Sequence, residues 1–219
     1  MTVQDARPLV APWTGKLSAL RGLRVHFCAM KRKYELKARA RRQAETRERI
    51  VEAAVELHTS VGPARTTISA IAERAGVERH TVYAHFADER KLFDACSTHW
   101  AERHPFPDLQ LSLGIVDPET RLQAVLHDLY RWYEEVESDV AIFRRDAQVH
   151  ELNAEIVAED DRRLAELADE LARGRPRRKP VRAAIGHVLE FETWRSLVRR
   201  QELSLKQAVE SMTRLVASV

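Results

Sequence analysis

Glycine and proline are scarce, 7 and 8 in a chain of 219 residues, and aromatic side chains make up only 6%. So few turn residues exclude a collagenous repeat, a low-complexity disordered chain and a turn-dense all-β architecture. The two cysteines, Cys28 and Cys96, supply neither a disulfide framework nor a zinc ligand set, and a reducing cytoplasm is the expected location. No uninterrupted apolar run approaches the roughly 20 residues of a membrane span, so no membrane partner is expected. A glycine-rich phosphate loop, a nucleophile elbow and a His-Glu-x-x-His helix are all missing, which leaves no signal for catalysis or for a bound cofactor. His99 and His104 stand five apart with no third ligand at helical spacing, so no metal site is expected either.

What the chain does have is charge, 32% of its residues, unevenly spread. Residues 1–93 hold 18 Lys/Arg against 10 Asp/Glu, whereas residues 94–219 hold 18 against 23. A basic half joined to an acidic half suggests that the first meets a polyanion. Arg7, Lys16, Arg21 and Arg24 interrupt any apolar core that a signal peptide would need, and Pro8, Pro12, Gly15 and Gly22 break any long element before residue 30. Met30 reads as a natural start, with residues 1–29 a mobile extension or an upstream over-read of the gene.

Helical spacing dominates the rest. Ile50, Val51, Ala54, Val55 and Leu57 predict a helix over 46–61, closed by Gly62-Pro63. A short helix follows Thr67, with Ile68, Ile71, Ala72 and Ala75 inward, and stops at Gly76. A third covers 81–86 with Val82 and Phe86 inward, and Asp88 caps a fourth that runs through Leu92, Phe93 and Cys96 toward Trp100. Further helices are expected over 119–138, 140–149, 154–173, 181–201 and 205–217, the last capped by Ser204, with no alternating segment that argues for a strand.

The informative segment is 66–86. Helix, glycine turn and second short helix form a helix-turn-helix, a unit that lays its second helix in the major groove of DNA, although spacing alone also fits a helical hairpin in a core. The outward set Arg79, His80, Thr81, Tyr83, Ala84 and His85 is mostly hydrogen-bond donors.

Through Ile50, Ala54, Gly62, Thr66-Thr67, Ile71-Ala72, Ala75-Gly76-Val77, Thr81-Val82-Tyr83 and His85-Phe86 the sequence resembles the TetR family of bacterial transcriptional repressors. That resemblance implies an all-α fold: a three-helix DNA-binding head over 41–87, and a helical ligand-binding and dimerisation domain over 88–219. Residues 1–40 would form a flexible basic extension ahead of them. It also implies a homodimer on a double-stranded DNA operator, released by a small apolar or aromatic effector. The alternative is a TetR-like regulator without an inducer, acting through a protein partner or as an activator.

Residue by residue, the resemblance places Thr67, Tyr83 and His85 at phosphates and Arg79, His80 and Thr81 nearest base edges, with Ser69 and Lys91 on the same DNA-binding surface. Arg79 alone in that set can fork onto guanine O6 and N7. Glu89 stands where a lysine is common and Ile68 where some members carry a polar residue; Lys91 or Arg90 would compensate. The stretch 30–49, with nine Lys/Arg and three acids, reads as an arm along the DNA in preference to a solvated leader.

Aromatic residues and histidines gather in the second half of the chain. The family's pocket lies between the connecting helix and those after it, where Trp100, Trp132, Tyr133 and Phe143 would form walls and His104, Asp146 or His150 would orient a ligand. Phe191 and Trp194 complete the candidate set, in a segment that with the last helix resembles the dimerising pair. The stripe Ile185, Val188, Leu189, Leu205, Val209, Met212 and Val216 supports that pair, and Asp161 is expected to pair with Arg144, Arg145 or another base.

Overall fold

The computed structural model describes residues 18–219, with side chains from Tyr34 onward. Readings placed on Cys28, Met30 and the prolines and glycine before Lys16 lie outside the described side chains. Ten α-helices and no strand occur among the described residues. The contacts divide the chain at residue 47.

Helix α1 spans Ser18–Ser60 and so begins well upstream of residue 46, running through Gly22 without a break. Its middle is a run of Ala, Arg, Glu, Lys, Leu and Gln without glycine or proline, all strong helix formers. Arg41 and Glu45 pair one turn apart at 3.2 Å, while Tyr34 and Leu36 are exposed.

From Glu48 onward two hydrophobic clusters form. The first joins the end of α1 to α2 (Ile68–Ala75), α3 (Arg79–His85) and α4 (Glu89–Arg103). Ile50, Ala54, Ile71, Ala72, Val82, Phe86, Leu92, Phe93 and Cys96 are buried together, as their spacing requires. Thr67 caps α2 by accepting the Ala70 amide at 3.1 Å, and Asp88 caps α4 by accepting that of Lys91 at 2.8 Å. Gly76 ends α2 at φ +65°, with the Val77 amide closing back on the Ala72 carbonyl at 3.0 Å. A Cβ there would meet nothing nearer than the Arg49 guanidinium at 4.0 Å, so the backbone conformation and not crowding asks for glycine.

The second cluster is built around α6 (Pro118–Asp146) and takes in α5 (Gln110–Leu113), α7 (Glu151–Leu171), α8 (Lys179–Leu189), α9 (Phe191–Arg195) and α10 (Leu205–Ala217). The helices expected over 119–138 and 140–149 are therefore one. Nothing between them breaks a helix, and the Asp139 carboxylate accepts the Trp100 indole N–H at 2.8 Å instead of capping a new one. Conversely, the helix expected over 181–201 is cut at Glu190, whose ψ of 138° is extended. The hydroxyls of Tyr130 and Tyr133 donate to the freed carbonyls of Val188 and Leu189 at 2.7 and 2.8 Å. After the cut, α9 continues into a π-helical turn over Ser196–Arg200.

Ile185, Val188, Leu189, Val209 and Val216 are buried within this chain's own core. Most of the stripe expected to support a dimer is thus already covered, Leu205 and Met212 only partly, and the exposed apolar residue of α10 is Leu215, 39% exposed. Ser204 caps α10 in a capping box with Gln207, as its position suggests.

Candidate functional site: a helix-turn-helix face and an aromatic cavity

Helix α3 turns Val82 into the head's core, and Phe86 follows it there as the C-cap, so the other side chains of α3 point outward. Arg79, His80 and Tyr83 are exposed and Thr81 and His85 half-exposed; Thr67, Ser69 and Lys91 are exposed beside them. All eight candidate DNA contacts are therefore open to a partner. The Thr67 hydroxyl accepts the Ala70 amide, which leaves its own O–H free to donate. Arg79 lies along the Tyr83 ring, 5.7 Å from its centroid, with a long 3.4 Å approach to the phenol oxygen. Arg90 is committed to a two-pronged pair with Glu155 of α7 at 2.6 and 2.9 Å, so of the two cations near Glu89 only Lys91 keeps its charged end unpaired among the described residues.

A cavity of about 480 Å³ opens between the end of α1, α4, α6 and α7. Of the nine ligand candidates, Trp100, His104, Trp132, Tyr133 and Phe143 line it. Trp100 meets Phe143 edge-on at 5.4 Å, and Phe106 meets Trp132 at 5.2 Å. The polar handles of these walls are already hydrogen-bonded: Trp100 to Asp139, Trp132 to the His104 carbonyl at 3.3 Å, Tyr133 to the Leu189 carbonyl. These walls present ring faces to a guest, while Arg144, Asn153, Glu159, Asp160 and Arg163 give the same cavity a polar, charged side.

The other four candidates are off the cavity. Phe191 and Trp194 sit in the body's core, 1% and 0% exposed, against Tyr133. His150 is the N-cap of α7, its Nδ1 accepting the Asn153 amide at 3.2 Å. Asp146 faces the head and is bound there. Asp161 pairs with Arg144 at 2.6 Å.

Sequence reasoning missed the wall that the head itself contributes: Val55, His58, Thr59, Pro63, Phe93 and Cys96. Val55, His58 and Thr59 share one face of α1 by their three- and four-residue spacing, the one available signal. The His58 ring and the Cys96 thiol are 3.3 Å apart and buried. Burial, and then the charge of His150, bring the His58 imidazole down to about 4, and burial pushes the Cys96 thiol up to about 12. At neutral pH both are uncharged, so this wall is apolar in effect.

Residues 50–96 match the family model described as bacterial regulatory proteins, tetR family. Among curated proteins, the chain is 43% identical over 60 residues to the HTH-type transcriptional regulator TtgR of Pseudomonas putida, covering 27% of this chain and 29% of that one. It is 38% identical over 72 residues to SrpR of Pseudomonas putida, covering 32% and 33%. The chain thus matches about a third of the length of these relatives. Among solved structures, a TetR transcription regulator from Haloarcula marismortui aligns with TM-score 0.55 at 17% identity, covering 80% of this chain and 98% of that one. The ketosteroid transcriptional regulator KstR2 of Mycobacterium tuberculosis aligns with TM-score 0.53 at 20% identity, covering 78% and 93%. Residues 50–96 thus carry the sequence pattern of the TetR family of bacterial regulatory proteins, and the chain shares the fold of solved TetR-type regulators.

Proposed function

We propose that this chain is a cytoplasmic transcriptional repressor: a homodimer that binds a near-palindromic DNA operator and is released from it by a small apolar or aromatic effector. The head 41–87 reads DNA, and the body 88–219 senses the effector and dimerises. The observation that carries this reading is the placement of α4. It packs into the head through Leu92 and Phe93 and contributes Trp100 and His104 to the aromatic cavity, so one rigid helix is shared by both sites. A guest that displaces its far end must reorient the head. Release follows only where the guest prefers the arrangement that cannot bind DNA, because equal affinity for both shifts nothing.

The test begins with duplexes selected by the protein from a random-sequence pool. A two-fold motif is expected, with a dissociation constant that rises when the neutral fluorophore N-phenylnaphthylamine fills the cavity, measured at one fixed salt concentration. Trp100→Ala and Trp132→Ala should blunt that rise and leave ligand-free DNA binding nearly intact. Recovery of no preferred duplex overturns the repressor reading, and a full response in both variants places the effector elsewhere.

A further inference from the structure

The carboxylate of Asp146 is a charge in an unfavourable place. It ends α6, where the helix dipole disfavours an anion, and it is 4% exposed. Two groups hold it there. The Ala64 amide donates to Oδ2 at 2.9 Å and Arg145 Nε donates to Oδ1 at 2.7 Å. Arg145 then reaches on, Nη2 donating to the Val61 carbonyl at 3.1 Å. Two adjacent residues of α6 thereby grip the turn over 61–65 at two points on either side of Gly62. Gly62 lets the carboxylate this close: any Cβ would collide with it and with the Arg145 guanidinium, and the φ of +99° disfavours other residues independently. Burial raises the Asp146 carboxyl, but the Arg145 and Ala64 hydrogen bonds outweigh it and keep it ionised below the usual range.

The turn so gripped leads straight into the DNA-binding unit. Thr66 Oγ1 donates to the Gly62 carbonyl at 2.9 Å, and the next residue, Thr67, caps α2. The grip also adjoins the cavity from both sides. Pro63 lines it, and so does Phe143, one turn before Asp146 on α6. We propose that Asp146 and Arg145 are positioning residues, a latch that holds the α1–α2 turn to the end of α6 and through which a guest seated between Phe143 and Pro63 releases the head. This rests on the regulatory reading above but adds a route separate from α4.

Hydrogen exchange, which needs no operator, tests the latch first. In Asp146→Ala, amides over 62–75 should exchange about tenfold faster or more, while those in the middle of α6 stay at parental rates. Asp146→Asn keeps an acceptor for the Ala64 amide and should restore most of the protection. Arg145→Gln, at a half-exposed position, serves if Asp146→Ala fails to fold. N-phenylnaphthylamine should still bind the folded variants, and Asp146→Ala more tightly than the parent, because a guest that releases the latch must prefer the released arrangement. It should speed exchange over 62–75 in the parent and add nothing in Asp146→Ala. With the selected duplex, ligand-free affinity should fall in Asp146→Ala and recover in Asp146→Asn. Parental protection over 62–75 in both Asp146→Ala and Arg145→Gln overturns the latch. So does a fluorophore response in Asp146→Ala as large as the parent's. Should no duplex be selected, the repressor reading fails, and exchange in the absence of DNA still decides the latch.

Discussion

Arg79 and Tyr83 are neighbours on α3 yet should act differently on DNA. The guanidinium of Arg79 is exposed and can fork onto guanine, so Arg79→Ala should weaken binding by about 1–3 kcal/mol and relax preference at one base pair. Their mutual 3.4 Å approach is too long to hold the guanidinium in place. Tyr83→Phe should therefore weaken all duplexes about equally, and a changed sequence preference in that variant would refute the phosphate assignment. At His58 the consequence is for stability. Its folded value of about 4 lies below the ordinary 6.5, so between those values the unfolded chain binds a proton that the folded chain refuses. Stability is full above pH 6.5 and falls as pH drops toward 4, by about 2 kcal/mol between pH 7 and 5 from this group. Urea unfolding at both pH values should show a smaller drop in His58→Gln than in the parent.

At the scale of elements, the cut at Glu190 separates what local pattern can announce from what packing imposes. No glycine or proline marks it, and the apolar stripe continues through Val188, Leu189, Phe191 and Trp194. The helix ends there because α6 supplies two tyrosine hydroxyls for carbonyls that the next turn would otherwise have taken. Tyr130→Phe and Tyr133→Phe should each leave a buried carbonyl unpaired and cost about 1–3 kcal/mol in urea unfolding. A neutral result in both would mean that the break is held by other contacts. The caps at Thr67, Asp88 and Ser204 were legible in the sequence because a cap is a matter of three or four consecutive residues. The union of two expected helices into α6 was not, because the Asp139 carboxylate is taken up by the Ser138 hydroxyl and by the Trp100 indole, 39 residues away.

At the scale of the whole molecule, the reach of a dimer sets the DNA it would bind. The chain's own core consumes the apolar stripe of α8 and much of that of α10, and what faces outward is Leu215 with the half-covered Val198 and Met212. Light scattering at micromolar concentration should give the mass of a dimer, and Leu215→Glu should shift it toward monomer. Two heads would then meet successive major grooves about 34–36 Å apart or a multiple of that, so half-sites should lie near integral turns of the duplex. A monomeric parent would refute the dimer.

The sequence by itself determined the helical class, the helix-turn-helix, its caps and its outward face. Each depends on residues within one or two turns of one another, where spacing alone decides which side is apolar. It also pointed to an aromatic cavity against the connecting helix, and five of its nine candidates line one. Only the tertiary structure decided that Phe191 and Trp194 fill core, that His150 caps a helix, and that Asp146 grips the head. Helical spacing says that a side chain faces a neighbour but not which neighbour covers it. That choice is made by contacts 58 residues apart for Tyr130 and Val188, and 82 apart for Ala64 and Asp146. The buried carboxylate of Asp146 is tolerable only because the fold brings an amide and a guanidinium to it, a condition no local pattern encodes.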